Sequence, residues 1–170
     1  MKLRRASVNT RKKQFELVTR SGAVYPMPFA KVDPRPTVKD PIVDFYVDPE
    51  LANEGITYTL ASGKEGAVLV DHALDYNRDP KYLADMALHM LTCDAVARLK
   101  ESEMSMREVA RRLRTSAPQV YRLLDTTNYS KSFAQMFALL QVLDCDIRIV
   151  VKPRPGSVRA KARSRHRKAA

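Results

Sequence analysis

Residues 104–125 read MSMREVARRLRTSAPQVYRLLD, and this stretch decides the fold that the sequence predicts. It contains two Ser-x-x-Glu/Gln patterns, Ser105–Glu108 and Ser116–Gln119, and each is typical of a capping box at a helix start. Pro118 lies in the first turn of the second helix, where its missing N–H costs little. The spacing leaves room for a first helix over about 105–113 and a turn near 114–115. The stretch therefore predicts a helix-turn-helix over about 106–124.

The apolar positions of this stretch agree with two short helices packed against each other. Val109, Ala110 and Leu113 would form the inner face of the first helix. Val120 and Leu123 would form the inner face of the second helix. Ala110 is small at the position where the two helices must come close.

The opposite surface of the two predicted helices is polar and basic, which favours contact with duplex DNA. Arg122 can bond guanine in a bidentate manner, and Gln119 can do the same with adenine. The candidates for base contact are Ser116, Ala117, Pro118, Gln119, Tyr121 and Arg122. The candidates for phosphate contact on the first helix and the turn are Arg107, Arg111, Arg112 and Arg114. The alternative is that these arginines form a solvated face of a helical domain that does not touch DNA.

The pattern E-V-A-R-R-L followed by S-x-x-Q-V-Y-R-L-L resembles the lambda-repressor and Cro-like helix-turn-helix family, also called the xenobiotic-response-element family. The resemblance covers about residues 80–145 and implies further helices within 83–99 and 133–143. The sequence departs from the family at Arg114, where the family often has glycine. It also departs at Ala117 and Pro118, which offer only apolar contact in the turn from which the family reads bases.

The stretch after the second helix adds to the resemblance. By that resemblance it would lie against the DNA backbone, with phosphate contacts from Thr127, Asn128, Tyr129 and Lys131. The pattern LLDTTNYSKS, followed by a helix and LDCDIRIVV, also resembles antitoxins of bacterial toxin–antitoxin pairs. In such proteins the last strand can help to make a dimer, and residues 146–152 are predicted to form that strand.

The segments before the helix-turn-helix predict a small antiparallel sheet and one long helix. Alternation and β-branched content predict strands over 14–19, 23–29, 42–47, 56–60 and 67–70. A helix is predicted from about Pro80 to Glu101. Its helical-period apolar positions are Leu83, Met86, Met90, Cys93 and Ala97, with Ala87 and Leu91 beside them.

The predicted fold class is therefore α+β. A disordered basic arm (1–13) precedes a β-rich domain (14–79). A helical lambda-repressor-like domain with a final strand follows (80–152), and a disordered basic tail (153–170) ends the chain.

The net charge of +11 is concentrated at the two ends of the chain. Residues 1–13 carry six basic and no acidic side chains, and residues 152–170 carry eight basic and no acidic ones. Residues 14–103 instead hold nine basic and fifteen acidic side chains. Lys and Arg release counterions from phosphates, so the basic segments favour a polyanionic partner and would add salt-sensitive affinity. Solubility is the other explanation for such tails.

Catalysis, cofactors, metals and membranes are not expected. His72, His89 and His166 are scattered, and no nucleophile has a base and an orienting group beside it. The segment from Gly63 to Gly66 lacks the frame of a phosphate-binding loop. Cys93 and Cys145 have neither zinc-site nor disulfide spacing. No apolar run approaches the ~20 residues of a membrane helix, and a cytoplasmic location is expected.

The first hypothesis is a sequence-specific regulator that binds double-stranded DNA as a homodimer, and its narrower form is an autoregulating antitoxin with a small toxin as partner. The second is a protein-interaction module that binds a small partner through the acidic β-rich domain. The third is an RNA-binding accessory protein that uses its basic tails.

Overall fold

The structure, a computed structural model, describes residues 1–153 and has the predicted α+β class. Two three-stranded antiparallel sheets and five α-helices make up these described residues. The chain divides into two compact units, the N-terminal unit (residues 1–90) and the C-terminal unit (from Leu91 onward). The division lies inside a helix rather than before Pro80, where the sequence had placed it. Nearly all of the predicted basic tail lies outside the described residues.

The first sheet shows that the predicted disordered arm was wrong. Its strands are β1 (Leu3–Asn9), β2 (Gln14–Thr19) and β3 (Val24–Pro28), in the order β1-β2-β3. β2 and β3 lie within the predicted bounds to one residue. β1 was missed because its alternation is broken by a register shift between Leu3 and Arg5. The high basic content of the segment hid the apolar residues that anchor it.

The second sheet follows a 3-10 turn at Phe29–Lys31. Its strands are β4 (Ile42–Val47), β5 (Gly55–Leu60) and β6 (Glu65–Leu69), so the three predicted strands are confirmed. A short helix that was not predicted, α1 (Val70–Asn77), begins directly after β6. The strands and α1 share one core, in which the largest fully buried side chains include Phe15, Leu17, Ile56 and Tyr58.

The long helix α2 (Pro80–Glu101) begins and ends at the predicted residues. The face that it buries is not the predicted one, however. Met90 of the predicted stripe is 61% exposed, and Met86, Cys93 and Ala97 are exposed too. Leu88, Thr92 and Ala95 are buried instead. Apolar residues of α2 occur on all sides of the helix, so their spacing alone does not identify the face that is buried.

The remaining helices are α3 (Met106–Arg112), α4 (Ala117–Leu124) and α5 (Phe133–Val142). The first two match the predicted pair, and α5 lies inside the region predicted for a further helix. The predicted final strand over 146–152 does not form, because these residues have no regular structure and no strand partner. Among the helices of residues 1–153, none has the length and apolarity needed to span a bilayer.

Candidate nucleic-acid interface

Helix α3 begins with half of the predicted capping box. Ser105 is the N-cap, and its Oγ accepts a hydrogen bond from the Glu108 N–H at 3.2 Å. The Glu108 carboxylate is held by two arginines: Arg111 Nη2 donates at 2.6 Å and Arg112 Nε at 2.9 Å. Hydrogen bonds from Arg111 and then Arg112 lower the pKa of Glu108 to about 2. One carboxylate therefore partly neutralises two of the predicted phosphate contacts.

The turn between α3 and α4 closes through backbone hydrogen bonds alone. Thr115 N–H donates to Ala110 O at 2.9 Å, and Arg114 N–H donates to Arg111 O at 3.1 Å. This pair of bonds needs a left-handed residue just after the helix, and Arg114 adopts it with φ 53°. Arg114 thus stands where glycine is favoured, and its exposed side chain points away from the packed helices into solvent.

Helix α4 packs its apolar positions and leaves its polar ones open. Val120 and Leu123 are buried, as predicted. Tyr121 is 62% exposed. Arg122, Pro118 and Ser116 are also exposed, while Ala117 and Gln119 are half-buried.

The second predicted capping box does not form. Ser116 is the N-cap of α4, but its side chain accepts no cap hydrogen bond. The Gln119 N–H donates to the Ser116 carbonyl at 3.0 Å, so the donor that the box needs is already used. The pattern still marks the helix start, since Pro118 in the first turn favours it.

The α4–α5 loop (residues 125–132) is bonded to itself and to the end of α4. Asp125 Oδ1 accepts from Thr127 N–H at 2.9 Å and from Thr127 Oγ1 at 2.7 Å. Asn128 Nδ2 donates to Arg122 O at 2.9 Å, while its Oδ1 accepts from Ser130. The bonds from Thr127 lower the pKa of Asp125. A complete capping box of Ser132 and Gln135 then starts α5.

Lys131, predicted to contact phosphate, has a different role in the structure. Its side chain is buried, with the residue 6% exposed. Its Nζ donates to Leu123 O at 2.9 Å and to Asp125 O at 2.7 Å. Burial lowers the pKa of the ammonium. Lys131 therefore satisfies the carbonyls that end α4 and does not reach solvent.

The remaining predicted contacts differ in how free they are. Arg107, Arg114 and Arg122 are exposed and form no ion pair within the described residues. Thr127 and Tyr129 are exposed, whereas the amide of Asn128 already holds the loop. Sequence reasoning missed the role of Glu108. Its spacing to Arg111 and Arg112, three and four residues on, is the signal that predicts such pairs.

Within residues 1–153, no three His, Cys, Asp or Glu side chains come together where they could hold a metal ion. A comparison of the chain with family models, curated proteins and solved structures finds no match to any of them.

Proposed function

We propose that the chain binds double-stranded DNA in a sequence-dependent way, with α4 as the helix that enters the major groove. One observation carries the proposal: α4 buries Val120 and Leu123 while it leaves Tyr121 and Arg122 open to solvent. A major groove about 12 Å wide admits a helix, and an exposed arginine on that helix is suited to guanine.

The arginines around α4 give this helix an electrostatic setting that suits DNA. Arg107 and Arg114 are exposed and unneutralised, and Arg111 and Arg112 share one carboxylate. Such side chains position a protein on phosphates without reading sequence. In this proposal Arg122 and Gln119 read bases, and Arg107 and Arg114 hold the backbone.

The test begins with selection of bound sequences from a random duplex pool, followed by affinity measurements on the selected site. Arg122→Ala is expected to lose ~1–3 kcal/mol of discrimination at one base pair, about 5- to 160-fold in relative affinity. Arg107→Ala is expected to weaken selected and unrelated duplexes alike. Arg35→Ala, an exposed arginine of the N-terminal unit, is the matched control and should change neither. Equal discrimination by wild type and Arg122→Ala would overturn the assigned reading residue.

A homodimer on a two-fold related site is part of the proposal, because one helix-turn-helix buries little surface. The strand that the resemblance assigned to dimer formation is not formed, so the dimer needs another surface. Light scattering of the purified chain, free and with a selected duplex, tests the stoichiometry. An antitoxin role is a narrower proposal, and co-purification of the product of an adjacent small gene tests it.

A protein partner for the β-rich unit is the second candidate function. On the edge strand β4, Val43 is 62% and Tyr46 is 49% exposed. In the other sheet, the edge strand β3 offers less, because Pro26 and Pro28 remove backbone donors from it. A stable partner that binds wild type but not Val43→Lys, with no duplex binding by either, would favour this candidate.

A further inference from the structure

The first strand of the N-terminal unit is shaped so that two adjacent arginines face the same way. Leu3 pairs with Thr19, and Arg5 pairs with Val18, so Arg4 is the extra residue of a bulge. Leu3 is buried and both arginines are exposed. Strict alternation would turn Arg5 toward the core, and a bulge re-aims the side chains. The strand thereby keeps its apolar anchor and presents both guanidinium groups on its outer face.

Strands β1 and β2 and the turn between them form a hairpin, and its basic residues are concentrated at its two ends. Residues 1–20 carry seven basic side chains and one acidic, while residues 21–90 carry six basic and eleven acidic. At one end the Arg20 N–H donates to the Lys2 carbonyl at 3.1 Å, close to the bulge in the same strand pair. The turn at the other end holds Arg11, Lys12 and Lys13, all exposed. The two groups are separated by about six residues of strand, roughly 20 Å.

Few neighbouring acids oppose this positive charge: Glu16 acts on Lys12 and Glu54 acts on Lys2, neither as an ion pair. Among residues 1–153, none of the seven basic side chains of the hairpin forms an ion pair within 4.0 Å. The single acid, Glu16, accepts hydrogen bonds from Asn9 Nδ2 at 3.0 Å and Gln14 Nε2 at 3.1 Å. These amides and, to a smaller extent, the charge of Lys12 lower the pKa of Glu16, so the hairpin keeps this one negative charge against its seven positive ones.

The outer face of the sheet lacks the groups that single-stranded nucleic acid requires. Its register places Ser7, Asn9, Gln14, Glu16 and Val18 on this face of β1 and β2. Val24, Pro26 and Pro28 of β3 pair with Val18, Glu16 and Gln14. The aromatic rings, Phe15 and Tyr25, lie on the other face, where Phe15 is buried and Tyr25 donates to Asp79 at 2.9 Å. Recognition of unpaired bases relies on aromatic stacking, so this face suits phosphates of a duplex.

We propose that the outer face of the β1–β2 hairpin, with Arg4, Arg5, Arg11 and Lys12, is a second surface that binds the phosphate backbone of duplex DNA. The inference rests on the proposed function, since it gives the N-terminal unit a part in the same complex. The hairpin adds affinity without sequence preference, because guanidinium and ammonium groups on phosphates read no bases. It differs from a flexible tail in that the strand pairing holds both basic groups at set positions.

The experiment measures binding of the full chain to a labelled 30-bp duplex of arbitrary sequence, by fluorescence anisotropy over a salt series. Two double variants are compared with wild type: Arg4→Gln with Arg5→Gln, and Arg11→Gln with Lys12→Gln. Each is expected to lower the slope of log affinity against log salt by about 1.8, since each phosphate contact contributes ~0.9. Arg35→Gln with Lys39→Gln removes the same charge from exposed positions of the same unit and should leave the slope unchanged. Arg4→Lys with Arg5→Lys should retain the wild-type slope.

The outcomes separate this inference from the proposed function. If both hairpin double variants keep the wild-type salt slope while Arg107→Ala binds the duplex more weakly, the hairpin surface is overturned and the proposed function is not. If the hairpin variants bind the duplex more weakly, Arg107→Ala binds as wild type does, and the random pool yields no preferred sequence, the hairpin surface is supported and the role of α4 is overturned. Absence of any duplex binding by wild type would overturn both. A tighter complex with single-stranded DNA or an RNA hairpin, lost in the same variants, would overturn the duplex as the partner.

Discussion

The two connections of the C-terminal unit end their helices by different means, although each contains a basic residue that the sequence assigned to phosphate. The α3–α4 turn closes by backbone bonds and leaves the Arg114 side chain in solvent. The α4–α5 loop closes by side chains, and Lys131 is consumed by the carbonyls of Leu123 and Asp125. The difference shows that a cation near a helix end stays exposed to solvent only where backbone hydrogen bonds already satisfy the last carbonyls of the helix.

The largest expected effect comes from Lys131→Met. It keeps much of the aliphatic volume but leaves two buried or partly buried carbonyls without their donor. We expect the free energy of unfolding to fall by about 2–3 kcal/mol, since an unsatisfied buried polar group costs ~1–3 kcal/mol. Chemical denaturation followed by circular dichroism measures this loss. Arg107→Met, a charge loss at an exposed position of α3, is the control and should stay within ~0.5 kcal/mol of wild type. Equal midpoints for Lys131→Met and wild type would mean that the two connections do not differ as described.

A smaller effect, of opposite sign, is expected at Arg114. Arg114→Gly removes the cost of a side chain in the left-handed region, so stability should rise by about 1 kcal/mol. Affinity for duplex DNA should fall at the same time, with a salt slope smaller by ~0.9.

Asp144 supplies the matched control for Arg114. It follows α5 with φ 58° and the same pair of backbone bonds, Asp144 N–H to Gln141 O and Cys145 N–H to Leu140 O. Asp144→Gly should also stabilise the chain, by less, since aspartate tolerates this conformation better than arginine. It should not weaken DNA binding. Loss of affinity in both glycine variants would assign the effect of Arg114→Gly to the turn and not to its charge.

The smallest expected effect concerns Glu108 and appears as a pH dependence. Its pKa is lowered from 4.5 to about 2 in the folded chain by Arg111 and Arg112. The carboxylate therefore contributes stability that is complete above about pH 4.5 and is lost as the pH falls toward 2. Thermal unfolding at pH 7 and at pH 2.5 should show a difference between wild type and Glu108→Gln that shrinks at the lower pH. Glu103→Gln, an exposed acid before α3, should show no such change. If the stability difference between wild type and Glu108→Gln is the same at pH 7 and at pH 2.5, the ion pairs of Glu108 with Arg111 and Arg112 are not the source of that difference.

Much of the fold follows from local patterns. Strands β2 to β6 and helices α2 to α4 were predicted within a few residues, because alternation, turn residues and helix caps act over neighbouring positions. Strand β1 was not predicted, because its bulge interrupts the alternation between Leu3 and Ala6. The final strand over 146–152 had the right composition but acquires no partner strand, and composition alone does not form a ladder.

Local sequence patterns likewise predicted some features of the candidate site and missed others. Burial of Val109, Val120 and Leu123 follows from helical periodicity, and so does the exposure of Arg122. The serine caps were only half predictable. Ser105 and Ser132 accept their bonds, but the Gln119 N–H turns to the Ser116 carbonyl instead of the side chain. Two acceptors on one residue compete for that donor, and the sequence pattern does not distinguish them.

The amino-acid sequence by itself determined where α2, α3 and α4 begin, which segments form β2 to β6, and that positive charge gathers near both ends. Those properties depend on residues a few positions apart. Tertiary structure alone decided that Lys131 turns inward, that Arg4 and Arg5 both turn outward, and that α2 buries Leu88, Thr92 and Ala95. Each of these outcomes depends on which carbonyl, strand or helix stands opposite the residue, and packing of distant segments sets that.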